Sequence, residues 1–252
     1  MEEKCGDGIC GENMKILEAE RLNKRFGGLT AVSSVDLDVK EGEILGLIGP
    51  NGAGKTTLFN LLSGALKADS GVIRFKGHDI TGLKPHQIAR RGIARTFQSV
   101  KIFSRMSVID HVRLGYFFGK LESGDGDEAE REVGEILEFV GLAPVRDGRG
   151  GDLILANQKR LEVARALATK PALLLLDELM AGLTPTEMAE AMELVKKIGQ
   201  RGITIVMVEH VMKAIMNSCD RIIVLNHGVK IAEGTPKEIA ANKTVIEVYL
   251  GE

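Results

Sequence analysis

The stretch G-P-N-G-A-G-K-T at residues 49–56 contains residue types that bind phosphate groups. It matches the pattern G-x-x-x-x-G-K-[ST] and lies between a strand-like and a helix-like segment, which is the context that the pattern requires. The glycines let successive backbone N–H groups point inward at phosphate oxygens. The nucleotide-binding residues predicted here are Gly49, Pro50, Asn51, Gly52, Ala53, Gly54, Lys55, Thr56 and Thr57.

Four side chains have predicted roles of their own, two in this loop and two in a second motif. Lys55 is expected to reach the β- and γ-phosphates, and the Thr56 hydroxyl is expected to bind Mg²⁺. A second motif, L-L-L-L-D-E at 173–178, ends a buried strand at the edge of the sheet where such folds bind ligands. Asp177 suits Mg²⁺, directly or through water, and Glu178 could orient and deprotonate an attacking water. The alternative is a carboxylate pair that merely ends a strand at a solvated loop.

The elements that would position these groups follow an α/β pattern. Two strand-like segments, at 15–21 and 31–39, predict an antiparallel opening sheet. A strand at 43–48 leads through the phosphate loop into a helix at 55–66. From 171 onward strands and helices alternate, which predicts a parallel sheet covered on both faces. The remaining predictions are a mostly helical region at about 99–171, a solvated acidic loop at 122–130, and a hairpin turning at 226–228.

Composition restricts the class of protein. The 252 residues are 44% hydrophobic, enough for a sizeable core, and 33 basic against 35 acidic residues leave a net charge of -2. No whole-chain field therefore recruits nucleic acid or anionic lipid. The longest apolar runs are too short to span a membrane, and the polar N-terminus lacks signal-peptide features. These features predict a cytoplasmic protein with a flexible tail at 1–13, in which Cys5 and Cys10 make a poor metal site.

The order of the motifs resembles that of ABC transporter ATPases. Besides the phosphate loop and L-L-L-L-D-E, the matching stretches are R-T-F-Q at 95–98, L-E-V-A-R-A-L at 161–167, A-G-L-T-P at 181–185 and V-E-H at 208–210. The resemblance implies one ABC ATPase domain over 14–252. It would combine a P-loop NTPase core, whose sheet is mostly parallel, with an antiparallel β subdomain and a helical subdomain at about 99–170. It also implies a head-to-tail dimer that holds ATP and Mg²⁺ between its subunits.

Three further site residues follow from the resemblance alone. It makes Gln98 the glutamine that contacts Mg²⁺ and water, His210 the histidine that contacts the γ-phosphate, and Phe26 the aromatic that stacks on adenine. Without it, Gln98 is a polar strand end, His210 starts a helix, and Phe26 packs in the core. The four other histidines match no motif and are predicted to lie on the surface: His78, His86, His111 and His227.

Other stretches resemble the ATP-binding subunits of branched-chain amino acid importers. They are F-G-G-L-T-A-V, A-R-T-F-Q, V-E-H-V-M-K, I-A-E-G-T-P and the terminal V-Y-L-G-E. The implied partners are a second ATPase subunit, two membrane permease subunits and, indirectly, an external substrate-binding protein, with no nucleic acid. The chain would be peripheral, at the cytoplasmic face of the cell membrane, with the permease docking around 105–116. ATPases of lipopolysaccharide export look similar and also end in Y-L-G-E.

One segment departs from the family pattern. Where the family carries L-S-x-G-Q, the signature segment of this chain (residues 153–157) reads L-I-L-A-N. Ile154 lacks the hydroxyl, and Ala156 adds a methyl where backbone should approach the partner's ATP. Asn157 could cap the helix or offer its amide to phosphate. Smaller departures are Leu179 in place of Pro and Thr184 in place of Asp or Asn.

The departures leave four hypotheses. The chain is an active importer ATPase paired with a different subunit, a regulatory subunit that barely hydrolyses ATP, or a soluble ABC ATPase acting on nucleic acid or ribosomes. The third lacks support because the chain has neither a second ATPase half nor a basic stripe. The presence of Lys55, Glu178 and His210 favours the first over the second. A local sequence error or redesign at 154–157 is the fourth.

Overall fold

A computed structural model describes residues 14–119 and 126–250 of the protein. The predicted tail at 1–13, with Cys5 and Cys10, lies outside the described residues. No helix within the two described ranges is long and apolar enough to cross a bilayer.

The chain opens with an antiparallel sheet of four strands in the order β2-β1-β4-β5. The strands are β1 Lys15–Phe26, β2 Leu29–Lys40, β4 Ser70–Phe75 and β5 His78–Asp79. Val35, Leu37 and Val39 are all buried, as their alternation in the sequence predicted. The predicted antiparallel opening is confirmed.

A second sheet has six strands in the order β10-β9-β3-β8-β7-β6. The strands are β3 Ile44–Ile48, β6 Ile93–Arg95, β7 Leu173–Asp177, β8 Thr204–Val208, β9 Arg221–Asn226 and β10 Val229–Gly234. All neighbours are parallel except β9 and β10, which form the predicted hairpin. The fold is therefore α/β with a mostly parallel sheet.

Nine α-helices complete the described part of the chain. They are α1 Lys55–Leu62, α2 Pro85–Arg90, α3 Val108–Gly119, α4 Gly126–Phe139, α5 Leu155–Ala168, α6 Pro185–Gln200, α7 Met212–Ser218, α8 Pro236–Ala241 and α9 Lys243–Leu250. Three of them, α3 to α5, lie in the region predicted to be mostly helical. Helix α1 ends four residues before the predicted Leu66, because Gly64 takes a left-handed backbone conformation with φ of 69°.

The central sheet is buried on both faces, which explains its uninterrupted apolar strands. In β7, Leu173 and Leu175 pack into one hydrophobic cluster with α1 and the antiparallel sheet. Leu174 and Leu176 point the other way, into a cluster with helices α3 to α7. The prediction that the parallel sheet is covered on both faces is confirmed. This packing fixes the position of the carboxyl end of β7.

Two sequence predictions about this region are wrong. Residues 126–130, predicted as loop, open helix α4 instead, where Asp127 and Glu128 in the first turn favour the positive end of the helix dipole. His111, predicted on the surface, is fully buried. Its Nε2 accepts a hydrogen bond from the Phe103 N–H at 2.9 Å, and its Nδ1 lies 2.7 Å from the Ser107 carbonyl oxygen. Both ring nitrogens are thus satisfied without water. His78, His86 and His227 are exposed, as predicted.

Candidate functional site

The phosphate loop joins β3 to α1. At two of its positions, Gly49 and Gly54, the backbone has a conformation that only glycine tolerates. Gly54 caps α1 with φ of 100°, and a Cβ there would lie 2.3 Å from the Ala31 carbonyl oxygen. A Cβ on Gly49 would lie 2.1 Å from the Leu225 carbonyl oxygen. The loop is therefore held between β2 and β9, with the first backbone N–H groups of α1 at its mouth.

Lys55 is the buried cation of this loop. Its Nζ donates hydrogen bonds to the carbonyl oxygens of Gly49 at 2.7 Å and Pro50 at 2.9 Å. Burial lowers the pKa of Lys55, and the nearby charge of Glu178 opposes that shift. The ammonium is thus already desolvated beside the loop. Around it Asn51, Gly52 and Thr56 are exposed, Ala53 is buried, and Pro50, Gly54 and Thr57 are half-buried.

Glu178 lies at the centre of the predicted catalytic residues. Nε2 of Gln98 donates to its Oε2 at 2.8 Å, and Nε2 of His210 lies 2.7 Å from its Oε1. In the sequence, Gln98 lies 80 positions before Glu178, and His210 lies 32 positions after it. The structure therefore brings Gln98 and His210 together on the carboxylate of Glu178. The Glu178 side chain is only 11% exposed.

The backbone of Glu178 is fixed by neighbours that sequence reasoning missed. Its φ of 48° is unusual for a residue with a side chain. Its N–H donates to the Val208 carbonyl oxygen at 2.9 Å, and its own carbonyl oxygen accepts from Nζ of Lys159 at 2.8 Å. Lys159 is buried, which lowers its pKa. The strained turn after β7 thus holds the carboxylate above the sheet edge.

Asp177, the predicted Mg²⁺ ligand, has a cationic partner. Nη2 of Arg95 donates to Oδ2 of Asp177 at 2.7 Å, and the two side chains are 10% and 3% exposed. Arg95 opens the R-T-F-Q motif at 95–98, and the motif by itself gives the arginine no role. The sequence nevertheless indicates that Arg95 has a partner, because an arginine at the end of an apolar strand needs one.

The residues predicted to hold Mg²⁺ have suitable chemistry. Thr56 offers an exposed hydroxyl, Gln98 an amide oxygen and Asp177 a carboxylate, and oxygen donors of this kind suit Mg²⁺ together with nucleotide phosphates. Oδ1 of Asp177 is not engaged by Arg95 in the ion pair described. The donor set is consistent with the predicted metal.

Phe26 lies at the end of β1, on the turn into β2. Its side chain is 47% exposed, so the alternative of core packing is wrong. Nζ of Lys24 lies 5.6 Å from the centroid of its ring. An exposed ring of this kind can accept a stacked base on its free face.

The signature segment forms the start of α5. Ile154 is the N-cap residue, with no side-chain hydrogen bond to the helix, so the predicted alternative that Asn157 caps this helix is wrong. Asn157 instead lies in the first turn and is half-buried. Ile154 is 63% and Leu155 42% exposed, whereas Ala156 is buried. Ile154 thus puts an exposed apolar side chain at the helix start in place of the family's hydroxyl, and the buried Ala156 carries a methyl in place of the glycine.

Comparisons with known proteins match this geometry. The family model described as "ABC transporter" matches residues 32–181, and that described as "Branched-chain amino acid ATP-binding cassette transporter" matches residues 229–252. The chain belongs to the ABC transporter family of ATP-binding cassettes. Members of this family bind nucleotide and are ATPases coupled to transport.

Individual relatives cover nearly the whole chain. The high-affinity branched-chain amino acid transport ATP-binding protein BraF of Pseudomonas aeruginosa is 41% identical over 250 residues, covering 94% of this chain and 98% of that protein. LivG of Salmonella typhimurium, with the same description, is 42% identical with the same coverage.

Solved structures agree with the fold. An ATP-binding cassette of an ABC transporter in its ADP conformation superposes with a TM-score of 0.85 at 33% identity, covering 95% of this chain and 100% of that chain. A dimeric cassette bound to ADP and phosphate gives a TM-score of 0.79 at 25% identity, covering 87% of this chain and 98% of that chain.

Proposed function

We propose that this cassette is the ATP-hydrolysing subunit of an importer for branched-chain or related amino acids. The observation that carries the proposal is the convergence of Gln98 and His210 on Glu178. The names of the relatives and the C-terminal family match at 229–252 support the amino acid class of substrate.

Hydrolysis in this proposal uses residues already in place. Lys55 and the loop N–H groups bind the phosphates, and Phe26 stacks on the adenine. Glu178 takes a proton from the attacking water, while Gln98 orients that water and His210 contacts the γ-phosphate. Mg²⁺, held by Thr56, Gln98 and Asp177, would neutralise charge on the phosphates.

The proposed docking surface for the permease is a groove of about 480 Å³ beside α3. Its apolar side chains include Phe97, Phe103, Leu114 and Phe118, each 44% to 54% exposed. Apolar area of this kind suits a docked helix from a membrane subunit. The groove overlaps the region at 105–116 predicted to receive the permease, and it begins next to Gln98.

The proposed assembly is a head-to-tail pair of cassettes on two permease subunits at the cytoplasmic face of the membrane, served indirectly by an external substrate-binding protein. Asn157 would then offer its amide to the nucleotide of the partner subunit. A heterodimer is favoured, because a paralogue with an intact signature could complete the site built on this chain's Lys55 and Glu178.

Two alternatives have less support. A regulatory subunit with little ATPase activity would not need a base supported by both Gln98 and His210. An exporter ATPase of the lipopolysaccharide type shares the terminal Y-L-G-E, but the relatives reported above carry amino acid transport in their names.

Purification from native membranes with its partners tests the proposal. Reconstituted vesicles should take up radiolabelled leucine, isoleucine or valine when ATP is present on the cassette side. Lys55→Ala should abolish measurable ATP binding and uptake, because each lost charge-assisted hydrogen bond costs roughly 1.5–3 kcal/mol. Lys67→Ala, on the exposed surface after α1, is the control.

The docking part of the proposal has its own measurement. Crosslinks from cysteines placed at 105–116 should join the chain to permease loops. Crosslinks only to a soluble partner would favour the regulatory or nucleic-acid hypothesis, and equal ATP titration curves for Lys55→Ala and wild type would contradict the assigned nucleotide site.

A further inference from the structure

Arg95 links three parts of the molecule that have separate roles in the proposed function: helix α1, the carboxylate of Asp177 and the docking groove. Its guanidinium donates to Asp177 as described, and Nη1 donates to Oδ1 of Asn60 at 2.6 Å and Oγ of Ser63 at 2.8 Å. Asn60 is in α1 and Ser63 directly follows it. Arg95 therefore ties the helix that follows the phosphate loop to the carboxylate at the end of β7.

The same guanidinium lies within cation–π distance of two aromatic rings. Its Cζ lies 5.5 Å from the ring centroids of Phe59 and Phe97. Phe59 is fully buried on α1, whereas Phe97 is 44% exposed. Arg95 and Phe97 both line the groove proposed for docking. A segment that enters the groove and moves Phe97 would remove one of the two cation–π interactions of the guanidinium.

The ion pair affects what Asp177 can bind. A buried carboxylate whose charge is already compensated by a guanidinium has less to gain from a second cation. The pair is also incompletely satisfied, because the buried Nε of Arg95 has no hydrogen-bond partner in the described part of the chain. Because one donor is already unpaired, the hydrogen bonds of Arg95 can be rearranged at a lower free-energy cost than a fully satisfied set.

We propose that Arg95 is a positioning residue that compensates Asp177 while the groove is empty and yields it to Mg²⁺ when the groove is filled. The inference rests on the proposed function, since it assumes that Asp177 serves Mg²⁺ and that the groove receives the permease. It adds a physical route between them: the guanidinium forms an ion pair with the carboxylate of Asp177 and lies within cation–π distance of the Phe97 ring.

The test measures Mg²⁺ dependence without hydrolysis. Thermal unfolding of the chain is followed with the non-hydrolysable analogue AMP-PNP while Mg²⁺ is titrated. In Arg95→Gln, Asp177 has no cation until Mg²⁺ arrives, so half-maximal stabilisation should need at least about threefold less Mg²⁺ than in wild type. Arg165→Gln is the matched control, because Arg165 lines the same groove but bonds to the Lys101 carbonyl oxygen.

Arg95→Lys covers the case in which Arg95→Gln does not fold. One ammonium keeps the charge but cannot reach Asp177, Asn60 and Ser63 together as the planar guanidinium does. The Mg²⁺ requirement should fall by less than in Arg95→Gln but in the same direction. Phe97→Ala should act likewise, by removing one cation–π interaction of the guanidinium.

Two results would overturn the inference. One is an unchanged Mg²⁺ requirement in Arg95→Gln, or in Arg95→Lys where only that variant folds. The other is an equal shift in Arg165→Gln, which would make the effect a general property of the groove. If wild type shows no stabilisation by AMP-PNP with Mg²⁺, the proposed function fails first, and the role of Arg95 fails with it.

Discussion

Glu178 shows at the scale of one residue how a base is held ready. Its carboxylate bonds to Gln98 and His210, while its backbone bonds to Val208 and Lys159. An ionised carboxylate can accept from both side chains at once. The water to be activated would therefore meet an acceptor whose direction is already fixed, which lowers the cost of reaching the transition state.

Glu178→Gln should separate binding from hydrolysis. An amide keeps the shape of the side chain but cannot take a proton, and a general base contributes about 10²- to 10⁴-fold to a rate. Turnover of the assembled transporter should fall at least about 100-fold, while ATP affinity stays within about threefold of wild type. Steady-state ATPase assays and equilibrium nucleotide titrations measure the two effects.

The control for this change is Glu193→Gln, which alters an exposed carboxylate on α6. It should leave both quantities unchanged. Undiminished turnover in Glu178→Gln would place the base elsewhere and would require a new assignment for Gln98 and His210.

Glu209 should give the protein a pH-dependent stability. Burial raises its pKa to about 7, although its carboxylate accepts a hydrogen bond from the Met180 N–H at 2.9 Å and lies near the charge of Lys159. The folded state therefore binds this proton more tightly than the unfolded state. The free energy of unfolding contributed by the site is largest below about pH 4.5 and decreases as pH rises to about 7.

Glu209→Gln removes this titration but retains an oxygen for the Met180 N–H. Between pH 5 and pH 8, the free energy of unfolding of wild type should fall relative to the variant by about 1–3 kcal/mol. Urea denaturation at several pH values measures the difference. Parallel curves for the two proteins would show that Glu209 titrates normally in the folded state.

Sequence motifs identify some residues of the site. Others are recognised only in the structure, from contacts between residues that are far apart in sequence. Lys55, Asp177 and Glu178 are predictable because loop and strand chemistry are local in sequence. Gln98 and His210 were predicted only from resemblance to a family, and their convergence on Glu178 is seen only in the structure. Arg95 and Lys159 were not assigned, because their partners lie 82 and 19 residues away and no periodicity indicates such pairs.

At the scale of elements, helix starts differ in how they satisfy their first N–H groups. Helix α6 begins with a capping box: Thr184 accepts from the Glu187 N–H, and Glu187 accepts from the Thr184 N–H at 2.8 Å. Helix α5 has no such cap at Ile154. Its first N–H groups remain available to a partner's phosphate.

Thr184→Ala should therefore destabilise the protein. The family pattern has Asp or Asn at this position, and in this chain Thr184 caps the helix. Loss of an N-cap side chain costs about 1 kcal/mol of free energy of unfolding. Urea denaturation measures it, with Thr186→Ala, exposed in the first turn of α6, expected to stay within about 0.5 kcal/mol. Equal losses in both variants would contradict the capping role.

Elements buried on two faces were the most predictable ones. Strands β3, β7 and β8 are entirely buried, so their apolar runs indicated them directly. The start of α4 was missed because its acidic first turn looks like a solvated loop. Local composition does not show that Arg113 on α3 bonds Glu130 across the helix pair.

At the scale of the whole molecule, the site and the signature segment would serve different nucleotides in the proposed assembly. In a head-to-tail dimer, the chain's own Lys55 and Glu178 await the signature of the partner subunit. The exposed Ile154 and buried Ala156 would instead face the partner's ATP. A defect at 153–157 would therefore lower the activity of the partner's site, and a homodimer would be affected at both sites.

Restoring the family signature should reactivate the isolated chain. One hydroxyl bond to a charged phosphate is worth roughly 1.5–3 kcal/mol, or about 10- to 150-fold in rate. Ile154 already has the extended backbone of an N-cap residue, with φ of -64° and ψ of 157°, so serine fits without rearrangement. We expect the purified chain to hydrolyse ATP slowly, and Ile154→Ser with Ala156→Gly to raise the rate at least about tenfold.

The control for the restored signature is Ile246→Ser, which changes another exposed isoleucine, on α9, and should leave the rate unchanged. The rates are compared at protein concentrations that saturate dimer formation, so that a change in association is not mistaken for a change in chemistry. A wild-type chain as fast as the restored variant would mean that the hydroxyl and the glycine are not required. The apolar side chains at the start of α5 would then be compatible with a working homodimer, and a heterodimer would no longer be favoured.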